Sequence, residues 1–411
     1  MKTSTYLVGG AVRDELLGLR PKERDWVVVG STPEEMLKKG FKQVGASFPV
    51  FLHPKDGEEY ALARTEKKHG HGYHGFSVDF HSNVTLEEDL HRRDLTINAI
   101  ARDENGHLID PYDGQRDLQQ KVLRHVSGAF VEDPLRVLRV ARFAAKLAPF
   151  GFRVHESTLA LMAEITQSGE LGHLAPERIW REIESAMTTP RPSEFVSVLR
   201  QCGALQALLP EVNKLFGVPQ PEKYHPEIDT GTHLLLALDN AAKLSRGKAN
   251  IVFAVLLHDL GKGLTPSREW PAHRGHEAAG LPLVDAVCGR FRVPNAVHDL
   301  ARKVCAKHLK CHRILEARPL TVLRMLERLD VFRQPELLPD FVIACESDYR
   351  GRKGLRDRPY PQGEYLQQAY RVAAGIRARD LDLEGLSGPQ VGESLRQARI
   401  EAITGLRREN G

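Results

Sequence analysis

The chain has no C-x-x-C pair: its five cysteines, Cys202, Cys288, Cys305, Cys311 and Cys345, are odd in number and scattered. That pattern argues against a disulfide frame and for free thiols in a reducing compartment. No stretch approaches the roughly 20 apolar residues that a membrane-spanning helix needs. The N-terminal MKTSTYLVGGAVRDELLG turns polar too early for a secretory leader. A cytoplasmic protein without a membrane partner is expected. Charge of one sign is also scarce: the net charge is +4 and the pI near 8.7, which permits a phosphate-binding face without establishing one. Internal repeats are absent. What remains is an ordinary globular composition, 41% hydrophobic and 27% charged, over 411 residues, enough chain for more than one domain.

The first third mixes strands with helices. Tyr6-Leu7-Val8 and Trp26-Val27-Val28-Val29 are short, apolar and β-branched, as buried strands are. Ala11 to Leu17 reads as a helix opening at Gly9-Gly10. Val50-Phe51-Leu52 and Glu59-Tyr60-Ala61-Leu62 read as further strands. Glu66 to His81, dense in His, Gly and Lys without a clear period, reads as a mobile loop. From Leu86 the pattern turns helical almost to the C-terminus. Leu86, Leu90, Ile97 and Ile100 fit one helical face, and Leu135, Leu138, Phe143 and Leu147 another.

Two features of the head carry chemistry. Glycines where a strand runs into a helix let the backbone N–H of Gly10 approach a triphosphate, and Arg13 in the first turn adds a phosphate donor. Glu23 and Asp25, two apart at the start of a strand, place two carboxylates on one face. Such carboxylates repel unless they hold cations, and a two-metal site uses them to bind Mg²⁺, activate an attacking 3′-hydroxyl and neutralise leaving pyrophosphate. A third carboxylate from a neighbouring strand would complete the set. Glu59 is the candidate and Glu58 its competitor.

Together these segments resemble the polymerase-beta-type nucleotidyltransferase superfamily, and within it the bacterial class II CCA-adding enzymes. Further blocks match in order: Arg92-Arg93-Asp94-Leu95-Thr96-Ile97-Asn98-Ala99, Asp110 to Gly114, Glu132-Asp133-Pro134-Leu135-Arg136, and Pro176-Glu177-Arg178-Ile179-Trp180 with Glu182. By that resemblance Arg93 and Asp94 serve the nucleotide and its sugar. Asp133 and Arg136 recognise the base, and Arg139 and Arg142 contact the phosphates or sugar. One departure stands out. The family usually has Asp-x-Asp where this chain has Glu23-Arg24-Asp25, and the extra methylene pushes the first carboxylate outward by about one carbon–carbon bond.

The base-recognition block has its own hydrogen-bond logic. Asp133 and Arg136, spaced i, i+3, are neighbours if they lie on a helix. A carboxylate only accepts and a guanidinium only donates. Cytosine and adenine each present an amino donor beside a ring-nitrogen acceptor, whereas uracil and guanine present a carbonyl beside a ring N–H. The pair therefore admits C and A and rejects U and G.

His258-Asp259 ends an apolar helix, Ile251 to Leu260, with Gly261 as its cap. An imidazole beside a carboxylate suits a divalent metal when other ligands converge. His233 is the first such ligand and Asp348 the last, in a pattern resembling the H…HD…D of HD phosphohydrolases. His276 and His308 are available to a second metal or to the phosphate. The resemblance extends to the subgroup of CCA-adding enzymes that carry an HD domain, and implies phosphatase, 2′-nucleotidase and 2′,3′-cyclic phosphodiesterase action with Ni²⁺ or another divalent metal.

The expected fold class is α+β: a nucleotidyltransferase head with a small mixed sheet (1–125), an all-α neck and body (126–225), an α-helical HD domain (226–350) and a helical tail (351–411). The expected partners are tRNA, CTP and ATP, for a monomer or homodimer. A poly(A) polymerase and a nucleotide-responsive HD phosphodiesterase regulator are the alternatives. The first usually carries a strongly basic C-terminal extension, which the mixed final helix does not resemble. Intact acidic residues in the head argue against the second.

Overall fold

The computed structural model describes residues 3–21, 23–44, 50–68, 76–79 and 81–409. They form two compact units, one of Met1–Ile183 with Glu194–Leu208, the other of Glu184–Ser193 with Leu209–Gly411.

The first unit is built on a mixed seven-stranded sheet in the order β3-β4-β5-β2-β1-β8-β9. The strands are β1 Ser4–Val8, β2 Asp25–Val29, β3 Lys42–Val44, β4 Val50–Leu52, β5 Glu59–Leu62, β8 Ala101–Arg102 and β9 Leu108–Ile109. The uninterrupted Val27-Val28 run is explained by burial on both faces. Val27 packs with Val8, Leu90 and Ala101 on one side, while Val28 packs with Met36, Phe51 and Leu62 on the other. β2 runs antiparallel to β1 and parallel to β5, and the parallel register sets Asp25 opposite Glu59.

Two expectations are corrected here. Thr65–Lys68 (β6) and Phe76–Asp79 (β7) pair antiparallel, so the Glu66–His81 stretch contains a β-ribbon; residues 69–75 and 80 lie outside the described residues. The helical pattern from Leu86 also breaks early. Helix α2, Leu86–His91, stops there, Ile97 sits in a single 3₁₀ turn, and β8 and β9 follow. Leu90, Ile97 and Ile100 are all fully buried; their spacing reports burial rather than one helix.

The remaining helices that carry functional side chains are α1 Gly10–Leu16, α3 Arg136–Leu147, α4 Pro176–Met187, α5 Thr230–Leu244, α6 Ala249–Leu257, α7 His276–Phe291, α8 Asn295–His312 and α9 Leu337–Arg350. In the second unit, α6 is the hub. Every residue from Ile251 to Leu257 is fully buried, as a helix that is apolar all round requires, and α5, α8 and α9 pack around it. Asp229 caps α5, its carboxylate accepting from Thr232 N at 2.7 Å. α6 ends at Leu257, earlier than its apolar run suggests, and Gly261 is not its cap. The chain passes into a 3₁₀ turn, Leu260–Leu264, pressed so closely on α7 that a Cβ at Gly261 would fall 2.0 Å from His276 O.

Candidate active sites

In the first unit, one cavity of about 960 Å³ is lined by Glu23, Asp25, Glu59, Arg93, Asp94, Asp133, Arg136, Arg139 and Arg142, and by the Gly9-Gly10 turn and Arg13. Sequence separation thus conceals a single site. Glu59 reaches it through the β2–β5 register. Glu58, one residue earlier, instead accepts a 2.6 Å hydrogen bond from Trp26 Nε1 and does not line the cavity. Asp25 begins β2, and Glu23 lies in the bend before it. Desolvation by the surrounding walls raises the Asp25 carboxyl above its ordinary value, Arg93 opposes that rise, and Glu23 adds to it. Two carboxylates gathered in a basic-walled cavity, one of them raised by burial and by its neighbour, are a donor set suited to divalent cations.

The cationic wall is held by carboxylates. Asp89, fully buried at the end of α2, takes Arg92 Nη2 at 2.7 Å and Arg93 Nη2 at 3.1 Å. Arg93 in turn lies against Gly9, whose φ of +69° and a Cβ position 2.8 Å from Arg93 Nη1 leave room for glycine alone. Arg13 is buried and spends its guanidinium on Asp14 and Asn98. Asp94 is buried; desolvation would raise its carboxyl, but the Arg139 guanidinium and Asn98 amide hold it well below the usual range. Arg142 donates to Glu182 at 2.6 Å.

Asp133 and Arg136 are not neighbours on a helix. Asp133 precedes α3 in extended geometry, and its Oδ1 accepts from Leu135 N at 3.1 Å. Arg136, the first residue of α3, sends its guanidinium to the carbonyls of Ala129 and Arg92. The guanidinium beside Asp133 belongs to Arg178 on α4, with Nη2 2.9 Å from Oδ2, and Arg178 also lines the cavity. From the sequence, Arg178 had no role beyond its place in the 176–180 block, because 45 residues separate the partners. Asp89 was missed too, although its i, i+3 and i, i+4 spacing to Arg92 and Arg93 is a legible signal.

The second unit gathers His233, His258, Asp259 and Asp348, all buried, together with His276 and His308. They form two groups of ligand atoms. One is His233, His258 and Asp348; the other is Asp259, His276 and His308. The rings are oriented by the backbone. His258 Nδ1 lies 2.7 Å from Val255 O, His276 Nδ1 2.7 Å from His273 O, and His308 Nδ1 3.1 Å from Val304 O. Each Nδ1–H donates to a carbonyl, which turns Nε2 inward, where the neutral ring offers a lone pair to a metal. Around them sit groups that sequence reading missed. Glu227 Oε1 lies 2.9 Å from His233 Nδ1, and His312 Nε2 lies 2.7 Å from Asp348 Oδ2.

Burial alone would depress the His258 imidazole, but Asp259 and Asp348 push it up to about 9; burial takes His308 down to about 3. His258 Nε2, Asp259 Oδ1 and His276 Nε2 are buried without a hydrogen-bond partner. An orphaned buried polar atom costs about 1–3 kcal/mol. His258 Nε2 belongs to the first group, and Asp259 Oδ1 and His276 Nε2, 3.2 Å apart, to the second, so each group holds donors that fit a divalent-cation site. A third cluster, His225 with Glu227 and His233, shares a ligand with the first.

Comparison with known proteins matches these two sites in order. Residues 5–124 match the poly A polymerase head domain, 151–216 the probable RNA and SrmB-binding site of polymerase A, and 230–333 the HD domain. Both catalytic domain types use divalent metals. Among solved structures, the chain is similar to the Thermotoga maritima CCA-adding enzyme complexed with tRNA (TM-score 0.60, 21% identity, covering 98% of this chain and 88% of that one). It is likewise similar to a CCA-adding enzyme complexed with ATP (TM-score 0.61, 21% identity, 98% and 86%). Those likenesses fix the fold. The multifunctional CCA proteins of Thioalkalivibrio sulfidiphilus (58% identity over 407 residues, 99% of each chain) and Alkalilimnicola ehrlichii (56% over 404, 98% of each) extend the match to nearly every residue. The chain belongs to the multifunctional CCA protein family.

Proposed function

We propose that the chain adds and repairs the 3′-terminal CCA of tRNA from CTP and ATP without a nucleic-acid template. The observation that carries this reading is the single cavity in which Glu23, Asp25 and Glu59 face Asp133, Arg136 and Arg178. Glu23, Asp25 and Glu59 hold divalent cations, Mg²⁺ in this reading. Bound there, such cations would supply the Lewis-acid chemistry that activates the primer 3′-hydroxyl and neutralises the departing pyrophosphate. Arg93, Arg139 and Arg142 bind the triphosphate and sugar, and Asp94 orients Arg139. Asp133 accepts the amino group of the incoming C or A while a guanidinium donates to the ring nitrogen. The Gly10 N–H and Arg13 shape the turn beneath the phosphates. The boundaries at 125/126, 225/226 and 350/351 divide these tasks among head, neck, HD domain and tail.

In the same reading the HD domain hydrolyses phosphate esters, as a phosphatase, 2′-nucleotidase and 2′,3′-cyclic phosphodiesterase. His233, His258, Asp259 and Asp348 hold the metal, for which imidazole-rich ligands favour Ni²⁺ over Mg²⁺. His276 and His308 hold a second cation beside Asp259. No helix among the described residues is long and apolar enough to cross a membrane. A cytoplasmic location suits a tRNA substrate. Incubating the protein with CTP, ATP and a tRNA lacking its terminus, then sequencing the product, tests the main reading. C-C-A at the 3′ end is expected; a homopolymeric A tail would replace it with polyadenylation.

A further inference from the structure

Away from both sites, the second unit holds a cavity of about 720 Å³, within the size range of pockets that enclose a nucleotide-sized ligand. Its walls come from the 188–191 turn, from α5 and the turn that follows it, and from the segment after α9. Arg191, Lys243, Arg246, Arg350, Arg352, Lys353 and Arg356 line it, against Asp239 as the sole carboxylate in the lining. Asp239 is already committed to Arg191, 2.7 Å away, and to Ser193. Like charges crowded into a concave wall repel one another and raise the local potential.

Part of this charge has a structural purpose. Lys243 and Arg350 stand in the last turns of α5 and α9, where cations offset the negative end of the helix dipole. Arg352, Lys353 and Arg356 lie beyond any helix end, and none has a carboxylate partner among the described residues. Buried nitrogens also point to a missing acceptor. Arg350 Nε and Arg352 Nε are buried without a hydrogen-bond partner, although Arg350 Nη2 reaches Glu346 at 2.8 Å. Gly351, between them, packs its backbone directly on α5; a Cβ there would fall 2.7 Å from Ala237 Cα. Asn240 Nδ2 adds a hydrogen bond to Arg350 O at 3.1 Å. The two guanidinium stems are thus fixed on a rigid floor.

We propose that this cavity is a binding site for phosphate groups, separate from the metal ligands of the HD domain. Guanidinium forks match phosphate oxygens in pairs, and phosphate offers the charge density that so many uncompensated cations require. The phosphates come either from an RNA backbone crossing the cavity or from a small free anion held inside it.

Two probes separate these sources: inorganic pyrophosphate and a short fluorescein-labelled single-stranded oligoribonucleotide, each titrated against the full-length protein. Two variants report on the cavity, Lys243→Ala/Arg246→Ala on the exposed rim and Arg352→Ala on the floor. Arg268→Ala/Arg333→Ala removes the same charge as the rim pair from exposed positions elsewhere, and thermal unfolding checks that each variant is folded. Both cavity variants are expected to weaken binding of at least one probe about tenfold relative to the control pair. For the oligonucleotide, the slope of log affinity against log salt should become shallower by about 0.7 per lost contact. Loss for the oligonucleotide alone assigns the site to RNA backbone; loss that includes pyrophosphate assigns it to free phosphate as well. Affinity unchanged in both variants, or reduced no more than in the control pair, overturns the proposal.

Discussion

Arg178 donates from Nη2 to Asp133 Oδ2 at 2.9 Å, so a carboxylate–guanidinium pair stands in the nucleotide cavity with its donor supplied by α4. Arg136 has the spacing for that partnership, but its guanidinium is engaged by the carbonyls of Ala129 and Arg92. To offer a pairing edge, Arg136 would have to release both carbonyls. We expect Arg178→Ala to lower C and A addition together and to relax discrimination against U and G, at a cost of about 1–3 kcal/mol. Asp133→Ala should do the same, and the double variant should cost less than the two losses added. Single-turnover rates with all four nucleotides on a tRNA ending before CCA measure this. If Arg136→Ala relaxed selectivity while Arg178→Ala left it intact, base reading would return to Arg136.

The third carboxylate is separable by experiment. Glu59 faces Asp25 across the β2–β5 register, whereas Glu58 is tied to Trp26. Glu59→Ala and Asp25→Ala should abolish addition of both C and A while leaving tRNA affinity near that of the parent, because RNA affinity comes mainly from phosphate contacts. Glu58→Gln should keep most activity, and Glu23→Asp should be the mildest change in the set. Equal loss in the Glu58 and Glu59 variants, both folded, would remove the register as the basis of assignment.

Asp89 predicts a pH dependence. Burial raises its carboxyl, but the Arg92 and Arg93 guanidiniums outweigh that and hold it below the ordinary value. A depressed folded pKa contributes stability that is fully present above the unfolded value, near 3.9, and is lost as the pH falls through the folded one. Asp89→Asn should therefore destabilise the first unit by about 1.5–3 kcal/mol at pH 7. The gap to the parent should narrow progressively below about pH 4. Urea unfolding across that range is the measurement. The variant should also raise KM for CTP and ATP, since Arg93 loses its anchor. A gap that stayed constant down to pH 2.5 would show that the charge of Asp89 is not what matters.

The elements most legible in the sequence were those whose side chains answer to local rules. The valines of β2, the glycines before α1 and the apolar length of α6 each follow from burial or backbone freedom at that position. The ordered blocks placed Asp25, Asp94 and Asp133 in one reading, and one cavity holds them. Tertiary pairing was what local rules missed. Asp133 finds Arg178 across 45 residues. Ile97 is buried by neighbours rather than by a helix that extends through it. The β6–β7 ribbon hides in a stretch too polar to alternate, since its strands lie outside the main sheet.

The two ligand groups in the HD domain lead to a prediction about metal. His258, His276 and His308 each give Nδ1 to a backbone carbonyl, so their inward Nε2 atoms are set before any ion arrives. A site assembled in advance loses little conformational entropy on binding. The parent should bind about two equivalents of Ni²⁺ in this domain, one for each triad. His258→Ala should lose the equivalent held with His233 and Asp348, and His276→Ala the one held with Asp259 and His308. His258→Ala should also abolish hydrolysis of 2′,3′-cyclic AMP, because the ring that faces His233 and Asp348 is lost. Addition of CCA should continue near the parental rate in both variants, since the carboxylates that serve it belong to the other unit. Calorimetric titration with Ni²⁺ on chelator-treated protein gives the stoichiometry, and a tRNA end-sequencing assay gives the transfer rate. A single equivalent in the parent would merge the triads into one site, and loss of CCA addition in a folded His258→Ala protein would refute the independence of the two chemistries.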